Sequence, residues 1–220
     1  RLRIEQDVMQ LYTDFQNSTN ILGFSFATSD TKIDTGFVKK GTYPAQIDTL
    51  IFSAKPGAVF PPFEFNNNWY MSKLLDIQER PDSISGSQIL IAYEGTGNEN
   101  IKRTKEEAKA KIDSLFNALK KNPARFAEVA KQISDYPSAK EDGGDLKWFP
   151  DNNPNYEPFF NAGLSLKPNE MKVVDTRIGY SLFMLTNKSQ PVKKVKAAVL
   201  VRAIEPSNQT FQDIYMQAST

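Results

Sequence analysis

The sequence predicts a mixed α+β fold in which a similar unit occurs more than once. Two observations support this. Mid-chain, an apolar strand is followed by two helical patterns, a glycine turn, a short helix and two more strands. The chain also repeats itself weakly at about 110 residues, a period to be sought before a fold is named. "FSAKPGAV" resembles "LSLKPNEM", and "WYMSKLLDIQERP" resembles "GYSLFMLTNKSQP". "SQILIAYEG" is matched by "AAVLVRAIE", and "DTGFVKKG" stands where "GGDLKWFP" would recur.

Each element has a local reason. In "RLRIEQDVMQLYTDFQN", Leu2, Val8, Leu11, Tyr12 and Phe15 fall at helical spacing, and "NSTN" ends the helix. "GFSFATSD" reads as a short strand. "FPPFEFNNNWYMSKLLDI" reads as strand, turn and returning strand, with the asparagines at the turn. Pro81 drives Arg80 out of the helical region, so "RPDS" marks a boundary. "GSQILIAYEG" is an apolar strand. Thr104 and Glu107 form a capping box, and Ala108, Ile112, Leu115, Phe116 and Leu119 make the buried face of that helix. Pro123 suits the first turn of the next helix, lined by Phe126, Val129, Ala130 and Ile133. "NYEPFFNAGLSL" is a short helix, "KPNE" a turn, and "MKVVDT" and "GYSLFMLTN" a strand pair. "VKKVKAAVLVRAIEP" is a long strand, and "SNQTFQDIYMQA" a capped helix.

Composition excludes several chemistries. Among 220 residues there are 27 Lys+Arg and 26 Asp+Glu, so the basic excess of a general nucleic-acid binder is missing. Cysteine and histidine are both 0. That removes thiolate nucleophiles, Cys-type zinc sites and Ser-His or Cys-His couples. No acidic cluster has metal-ligand spacing, and no glycine-rich phosphate loop follows a strand. Zero cysteine fits an oxidising compartment. No apolar run approaches ~20 residues, the length that spans a bilayer. The chain opens inside a helical pattern and stops without a cap, which predicts a fragment of a longer protein.

"EDGGDLKWFP" is the costliest loop, because two adjacent glycines mark a forced turn or a close approach. Together with "SQILI", "FAEVAKQISDYPSAKEDGGDLKWF", "PFFNAGLSLKPNEM" and "DTRIGYSLFML", it makes residues 84 to 188 resemble a parvulin-type (PpiC-like) peptidyl-prolyl cis-trans isomerase domain. The resemblance implies a four-stranded antiparallel sheet with helices packed around it. Arrays of such units, some decayed, resemble periplasmic foldases of the SurA and PpiD type, and "VLVRAIEPSNQTF" is most similar to the Bacteroidetes form.

The resemblance also assigns a site. Leu146 falls at the leucine and Phe159 at the phenylalanine of the family's proline pocket. Asn155 falls near the pocket methionine, and Thr176 at a polar position joined to the histidine network. Ser134 and Asp135 lead into a Cys/Asp position that is Tyr136 here. The two family histidines are Gln88 and Ser181. Isomerisation must lower a rotational barrier of about 18–20 kcal/mol by binding the twisted imide better than either planar isomer. All three central groups of the family's polar cluster have changed type.

These readings set the expectations. Residues 1–82 form a degenerate or partial parvulin-like unit. Residues 83–190 form a parvulin-like domain, and residues 191–220 start a following unit or a strand–helix extension. The function expected is chaperone-like binding of unfolded or extended polypeptide, including outer-membrane or secreted clients, with isomerase activity lost or weak. An active isomerase with a His-free site is the alternative. A domain-interface or oligomerisation scaffold, with the strand near Val195 to Ile204 pairing outside its own unit, is the second alternative. No cofactor, metal or nucleic acid is expected. The resemblance implies a periplasmic protein, tethered to the inner membrane through segments outside this chain.

Overall fold

The computed structural model describes residues 2–34, 36–204 and 216, and the chain divides into two compact units. The first comprises residues 1–78 and 193–220, the second Glu79–Val192.

The first unit begins with α1 (Leu2–Asn17) and α2 (Ile21–Thr28), then β1 (Val38–Lys39), α3 (Ala45–Ser53), β2 (Val59–Phe65) and β3 (Asn68–Pro81), whose last three residues enter the second unit. The strand expected at "GFSFATSD" is a correction: this stretch lies in α2 and the turn after it. Phe24 and Phe26 alternate as in a strand, but Asn20 Oδ1 accepts the Gly23 amide at 3.0 Å and starts the helix. Ser25 and Thr28 then return their hydroxyls to Ile21 and Phe24 carbonyls, each at 2.7 Å. The β2–β3 hairpin turns on Asn66 and Asn67 at φ 47° and 55°, the two positive values of a primed turn that asparagine tolerates.

In the second unit the order is β4 (Ser83–Ile91), α4 (Lys105–Lys121), α5 (Phe126–Ile133), α6 (Ala139–Asp142), β5 (Asp145–Pro150), α7 (Glu157–Leu164), β6 (Met171–Thr176) and β7 (Gly179–Lys188). The Thr104–Glu107 capping box opens α4 through reciprocal bonds of 3.2 and 2.8 Å. The sheet order is β5-β4-β7-β6, antiparallel throughout. Ile89, Ile91, Leu182 and Met184 pack under α4 and α5. Ile84, Val174, Phe183 and Leu185 pack with Phe159 and Phe160 of α7 on the other face.

Of residues 191–220, read as the start of a following unit or as a strand–helix extension, the strand is β8 (Pro191–Ala203). It enters the first unit's sheet, whose order is β1-β8-β3-β2. Val195 and Ala197 face the α3 core, with Ile47, Ile51 and Leu74, while Ala198 and Leu200 face α1 and α2, with Val8, Phe15 and Met71. A strand that is apolar on both faces needs a central place. The helix read from "SNQTFQDIYMQA" lies outside the described residues but for Met216. The segments that resemble one another in sequence hold like places: β1 and β5 at one edge, β8 and β4, then β3 and β7 at the centre, and β2 and β6 at the other edge.

Candidate peptide-binding site

β4 carries Gln88 and β7 carries Ser181, the two residues that the resemblance sets at the family's histidine positions. Their register pairs Gln88 with Phe183 and Leu90 with Ser181, so Gln88, Ser181 and Phe183 share the α7 face. Gln88 is 3% exposed and Ser181 fully buried. Ser181 Oγ donates to Gln88 Oε1 at 3.2 Å. The Ser181 hydroxyl and Gln88 Oε1 thus answer each other inside the sheet, where an unpaired polar atom is costly.

The glycine turn is fixed by the strand beside it. Gly143, at φ 70°, caps α6 through its amide bond to the Ala139 carbonyl. Gly144, at φ 79°, passes so close to β4 that a Cβ would lie 2.1 Å from the Gln88 carbonyl oxygen, and its own carbonyl accepts the Gln88 amide at 2.8 Å. Asp145 then accepts the Lys147 amide at 2.8 Å and holds Lys147 at φ 57°. This kink turns Leu146 and Phe149 to the same apolar cluster and leaves Trp148 56% exposed.

Leu146 and Phe159 meet in that cluster with Phe149, Phe160 and Phe183. They are 7% and 6% exposed, against 1% for Phe160 and 0% for Phe183, so they lie nearer the surface of the cluster than those two rings. Phe159 lies 5.4 Å from Phe183, ring to ring. Asn155 is exposed and its amide donates to Asn153 Oδ1 at 3.1 Å. The side chain that packs here is its neighbour Tyr156, half-buried and stacked on Phe149 at 4.8 Å and 22°. Thr176 is half-buried, and its hydroxyl donates to the Gly179 carbonyl at 2.7 Å within the β6–β7 turn.

Tyr136 hangs from a loop stitched to the edge of β4. Ser134 Oγ accepts the Leu90 and Tyr136 amides at 3.0 and 3.2 Å. The Asp135 amide donates to the Leu90 carbonyl at 2.8 Å, and its carboxylate accepts from the Ala92 amide at 2.9 Å and from Arg103. Burial, then the neighbouring Tyr156 and Asp142, push the Tyr136 hydroxyl above the ordinary tyrosine value, so it stays protonated as a donor. Sequence reasoning missed Arg103 and Tyr156. Arg103 is separated from Asp135 by 32 residues, and only the fold joins them. Tyr156 was legible only as an aromatic beside the expected position.

The arrangement is therefore an apolar cluster holding Leu146 and Phe159, with Tyr156 packed against it and the Ser181–Gln88 pair buried on the α7 face. Among the described residues no group of three or more acidic side chains could hold a metal ion. A sequence model of the PPIC-type PPIASE domain matches residues 69–189. Chaperone SurA of Sodalis glossinidius (strain morsitans) is 25% identical over 170 residues, 76% of this chain and 38% of that protein. Foldase protein PrsA of Clostridium botulinum (strain Langeland) is 33% identical over 119 residues, 53% of this chain and 31% of that protein. The chain thus spans less than two fifths of the length of these relatives. The crystal structure of PrsA from Bacillus subtilis is 33% identical across 48% of this chain and 35% of its own, with a TM-score of 0.34. With more than half of its residues matched, the chain belongs to the PPIC-type peptidyl-prolyl isomerase domain family.

Proposed function

We propose that the second unit binds extended polypeptide over Leu146, Phe159, Tyr136 and Tyr156, with isomerase activity lost or weak. The observation that carries this reading is the buried bond between Ser181 and Gln88. A catalyst of imide rotation needs polar groups that engage the twisted carbonyl more strongly than the planar one. Gln88 Oε1 and the Ser181 hydroxyl already engage each other, and both residues are buried, Gln88 at 3% and Ser181 at 0% exposure. The apolar floor and aromatic neighbours remain, and they suit a proline ring or an aromatic side chain. Thr176 spends its hydroxyl on the turn, which supports giving it a structural part.

The clients on this reading are unfolded or extended chains, outer-membrane and secreted proteins among them. The chain would work in the periplasm on a protein tethered to the inner membrane by other segments. The absence of cysteine supports an oxidising compartment, and no described helix is long and apolar enough to cross a membrane.

The first unit belongs to the same reading as a site-free copy of the fold. Its strands hold the same sheet places, two helices cover one face, and one covers the other. On β3, Ser72 shares the α3 face with Leu74, by alternation. That face carries Val195 and Ala197 on β8 rather than a glutamine.

A protease-coupled assay on a Phe-Pro tetrapeptide tests the proposal. Turnover close to background is expected, with peptide-induced NMR shifts at Leu146, Phe159 and Tyr156. Turnover well above background, abolished by Leu146→Ala, would favour the His-free isomerase instead. Shifts confined to Val195–Ile204 would favour the interface reading. The double change Gln88→His with Ser181→His should raise turnover if the floor still seats proline.

A further inference from the structure

Arg80 lies near the end of β3, in the "ERPDS" stretch, outside every residue assigned to the pocket. Its guanidinium nonetheless grips Asp151 with two bonds, Nε to Oδ2 at 3.0 Å and Nη2 to Oδ1 at 2.6 Å. Both side chains are buried, at 9% and 6% exposed. A bidentate pair of this kind fixes orientation as well as distance, which a lysine ammonium cannot do. The Asp151 amide also donates to the Asp82 carbonyl at 3.1 Å, so backbone and side chain are held together. The same guanidinium sits 5.6 Å over the Phe160 ring.

What these contacts hold is the loop that delivers Tyr156. From Asp151 the chain runs through short backbone bonds, Asn153 amide to Pro150 carbonyl at 3.3 Å and Tyr156 amide to Asn153 carbonyl at 3.0 Å. α7 starts at once, with the Phe160 amide on the Tyr156 carbonyl at 2.8 Å. Phe160 in turn lies 6.4 Å from Phe149, on which Tyr156 stacks. Arg80 therefore pins the start of the loop and the helix turn after it, with Tyr156 between them.

We infer that Arg80 and Asp151 are positioning residues for the peptide site, setting its affinity through the placement of Tyr156. The inference rests on the peptide-binding reading above. It makes the end of β3 part of the site's machinery, although no atom of it need touch the peptide.

The test compares Arg80→Met, Asp151→Asn and Arg80→Lys in the full chain with a Phe-Pro tetrapeptide titrated by NMR. Arg80→Met and Asp151→Asn should weaken binding about tenfold, with a change in the Tyr156 ring signals as its stacking on Phe149 loosens. Signals of β4 and β7 should stay in place, and Arg80→Lys should recover the fold without recovering the full affinity. Should Arg80→Met fail to fold, Arg80→Lys and Asp151→Glu decide the matter by the same two readouts. A lowered unfolding midpoint with unchanged affinity and unchanged Tyr156 signals would overturn the inference, leaving the pair structural only. If instead the unaltered chain does not bind the peptide, or Phe159→Ala leaves binding untouched, the pocket reading has failed. The inference about affinity then falls with it, while the Tyr156 signals still report whether Arg80 places the ring.

Discussion

The two sheets differ in how they are assembled and in what they hold at the centre. The second is drawn from one continuous stretch, Glu79–Val192, while the first borrows β8 from the far side of that stretch. In the second, a polar pair is buried at the centre and answered by its own hydrogen bond. In the first, the Ser72 hydroxyl is buried and is a side-chain polar atom without a hydrogen-bond partner among the described residues. Similar strand placement is thus compatible with a hydrogen-bonded polar pair at the centre of one sheet and an unanswered hydroxyl in the other. The sheet is held by apolar residues on both faces, and the polar centre contributes little to that.

This comparison can be broken or sharpened by experiment. The largest effect should come from deleting residues 193–220. Leu74 and Met71 would lose the neighbouring strand, and amide protection in β2 and β3 should fall towards unprotected rates. Protection between Ser83 and Lys188 should survive; its loss would show that the two units do not stand apart energetically. Next in size, Gly144→Ala should destabilise the second unit by about 3 kcal/mol, combining a left-handed backbone with a clash against β4. A shift in the urea midpoint worth under about 1 kcal/mol would mean that the turn is not clamped to Gln88.

The third effect is alkaline and confined to the first unit. Burial, then Asp34 and Asp48, push the Tyr43 hydroxyl up to about 12, against about 10 in an unfolded chain. The raised value means that the folded state holds the proton more tightly. The contribution is fully present below about pH 10 and is lost as pH rises towards 12. Thermal unfolding followed from pH 9 to 12 should show this limb, and Tyr43→Phe should flatten it. A limb unchanged in that variant would assign the loss to other groups. The smallest effect is Ser72→Ala, which removes an unanswered buried hydroxyl and should stabilise the first unit by about 1 kcal/mol. Destabilisation there would reveal a partner for Ser72.

Much of the second unit was legible because its signals are local. Thr104 and Glu107 cap α4 from three residues apart, and Gly143 and Gly144 announce the turn, as Asn66 and Asn67 do for the β2–β3 hairpin of the first unit. α2 was misread because Phe24 and Phe26 imitate a strand's alternation, while the deciding cap belongs to Asn20 outside that pattern. The destination of β8 is a choice among sheet edges remote in sequence, and alternation alone does not name the partner. At the site, the identities of Gln88, Tyr136 and Ser181 were readable by position. Their consequence was not, since the bond between Ser181 and Gln88 joins residues 93 apart. The grip of Arg80 on Asp151 spans 71 residues and leaves no periodic trace.

The late return of β8 also orders events on the ribosome. When Gln78 emerges, β3 has β2 at one side and an empty slot at the other, and that slot stays empty until all of Glu79–Val192 has been made. At the usual 5–20 residues per second the wait is on the order of ten seconds. The second unit, being contiguous, can close within that interval. The first must hold its α1, α2 and α3 faces against an unfinished sheet whose open edge invites pairing with other chains. A nascent copy of this chain thus passes through an interval in which its own first unit is an unfinished sheet with an open edge.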